Sequence, residues 1–265
     1  MLRPALALIL SLSLTAPALA APGTFLREQR AVTIGGAAET WQLVWQGKPR
    51  SICGPEDVET AITCPCTGFA YGEVGKLALV RQRGGQEVDR MDLGQLFSEL
   101  PADNTDGLAA MPWRPVAPKD FDRAADGASP AFLAEVARRP GPRVMKLADY
   151  DRDGTASEFL VQVAAGPCGH TEFAAVGVAK ASGKLHALSS KANPGAPLVL
   201  PAAAWRALLG AKPARVVNYP CGDHGAEQQE ELAISARGGT ISAARVLRQC
   251  SDSGAAGAEL AREPL

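Results

Sequence analysis

Residues Asp149-Tyr150-Asp151-Arg152-Asp153-Gly154 place a carboxylate at every second position and then a glycine. Few strings restrict a backbone more. In a strand the three acids would share one face and repel, and in a helix Asp is a poor former. Folded around a small hard cation, the same side chains converge, and the glycine permits the sharp turn. The string therefore predicts a Ca²⁺ loop with Asp149, Asp151 and Asp153 as ligands. A solvated Asp-Gly turn is the simpler alternative. It accounts for Asp103 to Gly107 and for Asp126-Gly127, but not for three alternating Asp.

The string resembles the start of an EF-hand loop, with Asp149, Asp151, Asp153 and Gly154 at positions 1, 3, 5 and 6. Position 12, a bidentate Glu in EF-hands, is Leu160, while Ser157 and Glu158 stand at positions 9 and 10. An EF-hand also needs flanking helices. Here Phe159 to Val163 is β-branched and apolar and reads as a strand. Arg143 to Leu147 is short and strand-like, and Pro140 and Pro142 block a long incoming helix. The arrangement is more similar to the strand–loop–strand calcium loops of integrin-type β-propeller (FG-GAP) repeats, over about 15 residues. That resemblance implies Asp149, Asp151 and Asp153 as ligands, Thr155 as a backbone-carbonyl ligand, and Ser157 or Glu158 in place of the final acid. A propeller needs several such repeats; the chain has one loop of this kind, so the propeller fold is not implied.

The chain opens with Met1-Leu2-Arg3, an apolar run from Ala5 to Leu14, and an Ala18-Leu19-Ala20 cleavage site, which together predict a secretory signal peptide over 1–20. The apolar run is too short to span a bilayer. Cleavage leaves 245 residues with 26 basic against 28 acidic side chains, a balance that recommends neither nucleic acid nor an anionic membrane. The expected location is periplasmic or secreted. There a calcium site needs only weak affinity, with Kd of about 10⁻⁴–10⁻³ M.

Six cysteines follow the leader: Cys53, Cys64, Cys66, Cys168, Cys221 and Cys250. In an exported chain an even count predicts disulfides, and six allow 15 pairings. Cys53 with Cys64 or Cys66 would close a short loop. Pro167-Cys168-Gly169-His170 and Pro220-Cys221-Gly222-Asp223-His224 are near-repeats. Two thiols and two imidazoles could form a tetrahedral Zn²⁺ set. In an oxidising compartment the expectation is instead a Cys168–Cys221 disulfide. His186 reads as an ordinary strand residue.

Hydrophobic alternation predicts strands at Thr40–Gln46 and Lys76–Gln82, then near 159–164, 172–179, 184–188 and 215–219. Arg237-Gly238-Gly239 predicts a hairpin between 230–236 and 240–248. Short helices are expected over 92–100, after Ser129-Pro130, and between Pro201 and Gly210, the last with Trp205, Leu208 and Leu209 as its apolar side. The fold class is α+β, mainly antiparallel sheet with two or three short helices, stapled by disulfides. The expected layout is a β-rich part over 21–100, a linker-like 101–128 rich in Pro, Asp, Ala and Gly, a β-rich part with the calcium loop over 129–250, and a disordered tail over 251–265.

No G-x-S-x-G elbow, H-E-x-x-H, phosphate-binding glycine loop or C-x-x-C is present. The His224 to Glu227 string, H-x-x-E, is common and sits among glycines. The expected function is thus an exported, Ca²⁺-binding, disulfide-stabilised structural or binding module, acting on an extracellular or periplasmic partner, with no nucleic acid and no membrane span. The alternative is an exported hydrolase with a scattered, metal-assisted site near His170 and His224.

Overall fold

A computed structural model describes residues 23–53, 69, 72–97, 107–112, 129–139, 141–165 and 170–265. The 1–20 segment expected to be a signal peptide, Cys64, Cys66 and Cys168 lie outside the described residues.

The chain begins with a four-stranded antiparallel sheet in the order β1 (Thr24–Ile34), β2 (Ala37–Gln46), β5 (Leu77–Arg83), β6 (Gln86–Asp92). A smaller sheet pairs β3 (Arg50–Ile52), β4 (Gly72–Gly75) and β7 (Ala109–Pro112). A third is built around β9 (Thr171–Val178), which pairs β8 (Phe159–Ala165) along one edge, and β10 (Leu185–Ala187) then β11 (Val199–Pro201) along the other. The last sheet runs β12 (Ala214–Tyr219), β13 (Gln228–Arg237), β14 (Thr240–Cys250), β15 (Ala256–Pro264). Every strand pairing in these sheets is antiparallel. Gly35-Gly36, Gly84-Gly85 and Gly238-Gly239 close three of the hairpins, each pair with both φ angles between 56° and 82°. That is the left-handed pair a two-residue type I′ turn demands, which side chains disfavour. No helix among the described residues is long and apolar enough to cross a membrane.

Two α-helices with described bounds accompany the sheets. In α1 (Pro130–Arg138) the Phe132 N–H donates to the Ser129 hydroxyl at 3.2 Å, with proline in the first turn, as the sequence predicts. The second, α2 (Ala202–Leu208), buries Trp205 and Leu208. Leu209, expected on its apolar side, is 43 % exposed.

The β8–β9 sheet lies between two hydrophobic cores. Phe159, Val161, Val163, Ala174, Val176 and Val178 face the first, with Trp41, Trp45 and Leu79 of the N-terminal sheet. Ala175, with Leu160 and Phe173 packed alongside, faces the second, with Trp205, Leu232, Ile234 and Ile241. Because successive strand side chains point to opposite faces, one run of residues supplies both cores.

Several expectations need correction. The helix over 92–100 is, in its described part, a single 3-10 turn at Gly94–Leu96; there a Cβ on Gly94 would lie 2.2 Å from the Gly107 carbonyl oxygen, so the segment is held against another loop. Residues 109–112, within the stretch read as linker-like, form β7, and Ala109, Ala110 and Met111 are buried. The 143–147 stretch joins no sheet, and the Lys146 N–H turns back onto the Val144 carbonyl at 2.7 Å. Its amides at Val144 and Met145 donate to the Glu28 carboxylate at 2.7 and 3.1 Å, and Arg30 donates to the Met145 carbonyl, so β1 side chains stand where a partner strand would be. The tail is not disordered: 256–264 is β15. Its residues are exposed on both faces, so it is held by its backbone ladder to β14 and by ion pairs such as Arg248–Glu259 and Arg245–Glu263 at 3.7 Å each. Finally, Cys221 pairs with Cys250, not Cys168. Cys250 ends β14 beside the start of β13, where its N–H donates to the Glu227 carbonyl at 2.9 Å, and the disulfide ties this end to the loop that leaves β12. Cys53 is also disulfide-bonded.

Candidate metal centre

The acidic string forms a loop closed at its base. Ala148 and Glu158 make an isolated antiparallel bridge, exchanging backbone hydrogen bonds of 2.8 and 3.1 Å, and β8 starts at the next residue. Within the loop the carboxylates collect backbone donors. Asp149 accepts from the amides of Asp153 at 3.0 Å and Gly154 at 3.1 Å. Asp151 accepts from Asp153 at 3.0 Å. Arg152 and Gly154 take positive φ values of 58° and 94°, which turns the chain tightly enough for this.

This curl brings the carboxylates of Asp149, Asp151 and Glu158 together, with one oxygen of each within 4.8 Å of the others. Glu158 is the innermost, 1 % exposed. One of its oxygens accepts the Tyr150 N–H at 2.8 Å, and the other accepts the Ser157 hydroxyl. Burial, reinforced by the Asp151 and Asp149 charges, pushes Glu158 up to about 7 against those two hydrogen bonds. Burial likewise raises Asp151, with Asp153 and Asp149 adding repulsion. Space for the Glu158 side chain exists because β9 carries Gly177 opposite it. A Cβ there would lie 2.5 Å from the Ser157 carbonyl oxygen and 2.8 Å from Glu158 Cγ.

The other nominated residues sit in the loop but outside this trio. The Asp153 side chain accepts the Thr155 N–H at 2.7 Å, and its carbonyl accepts the Lys180 ammonium at 2.6 Å. The Thr155 carbonyl accepts the Ser157 N–H at 3.0 Å. Ser157 is buried, with its hydroxyl on Glu158 and 3.4 Å from the Val178 carbonyl. Glu158 lies beside Asp149 and Asp151, and the Ser157 hydroxyl, the other candidate for the displaced final acid, donates to its carboxylate. The donor set is all oxygen and mostly anionic, the chemistry of a hard divalent cation rather than of zinc or a soft metal.

Two supports were not legible as site residues. One is Gly177, isolated in a strand, a pattern that signals close backbone approach. The other is the tip of the β13–β14 hairpin. The Gly238 and Gly239 amides donate to the Arg152 and Asp151 carbonyls, both at 3.0 Å. On the opposite face, the Tyr150 ring meets Trp205 edge-on at 5.6 Å. The loop is thus pinned to β9, α2 and the last sheet.

At the second nominated place, His170 packs against Tyr219 with ring centroids 4.7 Å apart. The Cys221 thiol is consumed by its disulfide, which removes one thiolate from the zinc set considered above. Cys168 and the His224 side chain lie outside the described parts. Neither a family model, nor a curated protein, nor a solved structure matches this chain.

Proposed function

We propose that this chain is an exported, calcium-binding, disulfide-stabilised binding module. The observation that carries this reading is the convergence of Asp149, Asp151 and Glu158, one of them deeply buried, on a volume under 5 Å across. Three carboxylates held so closely repel one another, and a divalent cation reverses the sign of that interaction. Ca²⁺ accepts six to eight oxygens, and Asp153, Thr155 and Ser157 are the loop's further oxygen donors. Bound there, the ion would cross-link the loop to β8 and supply fold stability rather than chemistry. Neutralised by a cation, these carboxylates are poor general acids or bases.

Export is supported by the leader-like first 20 residues and by disulfides at Cys221–Cys250 and at Cys53. The partner is then extracellular or periplasmic. The test is metal analysis of the purified mature protein together with melting in chelator and in Ca²⁺. About one equivalent of calcium and a higher melting temperature are expected, both lost in Asp151→Asn. Stoichiometric zinc, or turnover of an ester, phosphate, glycoside or peptide substrate abolished by His170→Ala in a folded protein, would replace this reading with the hydrolase one.

A further inference from the structure

A cavity of about 420 Å³ opens where the two cores meet, beside the acidic loop but on the other side of Tyr150. Its size suits a small ligand rather than a solvent molecule. Its walls are of two kinds. Leu160 and Phe173, on adjacent strands β8 and β9, form an apolar floor, and Leu209 at the end of α2 adds a partly exposed apolar edge. Around this floor stand Arg143, Lys146 and Arg206, all with exposed side chains. Among the described residues no acidic side chain lines the cavity. That is unusual in a chain whose acidic and basic residues nearly balance. Several arginines elsewhere among the described residues are matched by acids: Arg81 and Arg83 with Glu39, Arg90 with Glu87, Arg248 with Glu231. Three cations gathered on one apolar pocket form a complement to a ligand of opposite charge.

We propose that this cavity binds a small amphiphilic anion. A carboxylate or phosphate head would lie among Arg143, Lys146 and Arg206, and a short hydrocarbon chain on Leu160 and Phe173. Guanidinium and ammonium groups form charge-assisted hydrogen bonds to either head. The apolar floor gains from covering by a chain and would gain little from a free inorganic anion. Tyr150 and Gln162 also line the cavity. This site goes beyond the calcium reading, since none of its cations belongs to the acidic loop.

The test uses the chelator-treated mature protein and four probes with unbranched ten-carbon chains, each below its micelle concentration or solubility limit: decanoate, decyl phosphate, decanol and decyltrimethylammonium. Binding is read by titration calorimetry and by Trp205 emission, since Trp205 packs on Tyr150 at the cavity wall. At least one of the two anions should bind at least about tenfold more tightly than decanol and the cation, and which one binds better assigns the head group. The double variant Lys146→Gln with Arg206→Gln should lose about tenfold or more, with an unchanged melting temperature because both side chains are exposed. Leu209→Asp should weaken the anions as well, while Lys212→Gln, outside the cavity, should leave them unchanged. Equal affinity for decanol or the cationic probe, no binding of either anion, or full anion affinity in the double variant would overturn the proposal.

Discussion

Replacing Glu39 by Gln should be among the most damaging single-atom changes this chain can suffer. Glu39 and Arg81 are each 3 % exposed, on neighbouring strands β2 and β5. Arg81 donates to both Glu39 oxygens at 2.8 Å. Arg83 adds a third bond at 2.8 Å and the Trp41 indole a fourth at 3.0 Å. Burial alone would raise the Glu39 carboxyl. The hydrogen bonds from Arg81, Trp41 and Arg83 outweigh it and hold the group down at about 2, from an ordinary 4.5. For a depressed acid the stabilisation is present above the unfolded value and is lost as pH falls towards the folded one. At about 1.4 kcal/mol per unit the full term is on the order of 3 kcal/mol, of which about 2 kcal/mol is gone by pH 3. Glu39→Gln leaves the buried Arg81 guanidinium with only the Asp89 carboxylate, 3.5 Å away, as counter-charge, at a cost of about 3–5 kcal/mol at pH 7. Urea unfolding followed by tryptophan emission reads this directly. The gap between wild type and variant should be about 3–5 kcal/mol at pH 7 and should narrow by about 2 kcal/mol at pH 3. Adding Arg81→Met should recover part of the loss, because it removes the stranded charge, while the amide at position 39 still has the Trp41 indole and Arg83 as donors. A gap below about 1 kcal/mol at pH 7, or one of equal size at both pH values, would refute the reasoning.

Millimolar Ca²⁺ against a Kd of about 0.1 mM should stabilise the protein by about 1.4 kcal/mol, a rise in melting temperature of roughly 3–5 °C. Asp151→Asn and Glu158→Gln should each abolish that rise. Glu158→Gln should also stabilise the calcium-free protein at pH 8, since it removes a buried charge that Asp149 and Asp151 repel; a less stable apo variant there would contradict this account. Gly177→Ala should cost about 1–3 kcal/mol and remove the Ca²⁺ response, because its methyl would displace Glu158; an unaltered response in calorimetry would count against the close approach. Replacing Cys221 and Cys250 together by Ser should cost about 3–4 kcal/mol in chemical unfolding, from opening a loop of 29 residues.

The sequence announced its strands where alternation met a turn signal. Thr40–Gln46 and the hairpin expected over 230–236 and 240–248 are cases of this, and the Ser129-Pro130 helix start was as legible from its cap. Gly35-Gly36 and Gly84-Gly85 carried the same hairpin signal as Gly238-Gly239 and mark the ends of β1 and β6, which alternation alone did not reveal. β15 was illegible because no side-chain burial holds it; its partner is a backbone edge, which composition does not encode. The acidic loop was legible because local alternation produces its convergence. Glu158 was readable only as one of two choices, since its placement depends on Gly177, 19 residues away on the next strand. The cationic cavity was not legible at all. Arg143, Lys146 and Arg206 are far apart in the chain or ordinary in their setting, and only the meeting of the two cores gathers them.

The seating of the hairpin tip on the acidic loop gives the molecule a built-in gauge. Gly238 and Gly239 turn their amides away from their own hairpin and onto the Arg152 and Asp151 carbonyls. Their exchange with solvent deuterium therefore requires the loop to let go, not the last sheet to unfold. These two amides should slow when the carboxylates are satisfied by a cation, while neighbours inside β13 and β14 keep their rates. Any insertion or tag placed at this turn would blunt the gauge, because both contacts to the loop come from the two residues of the tip itself.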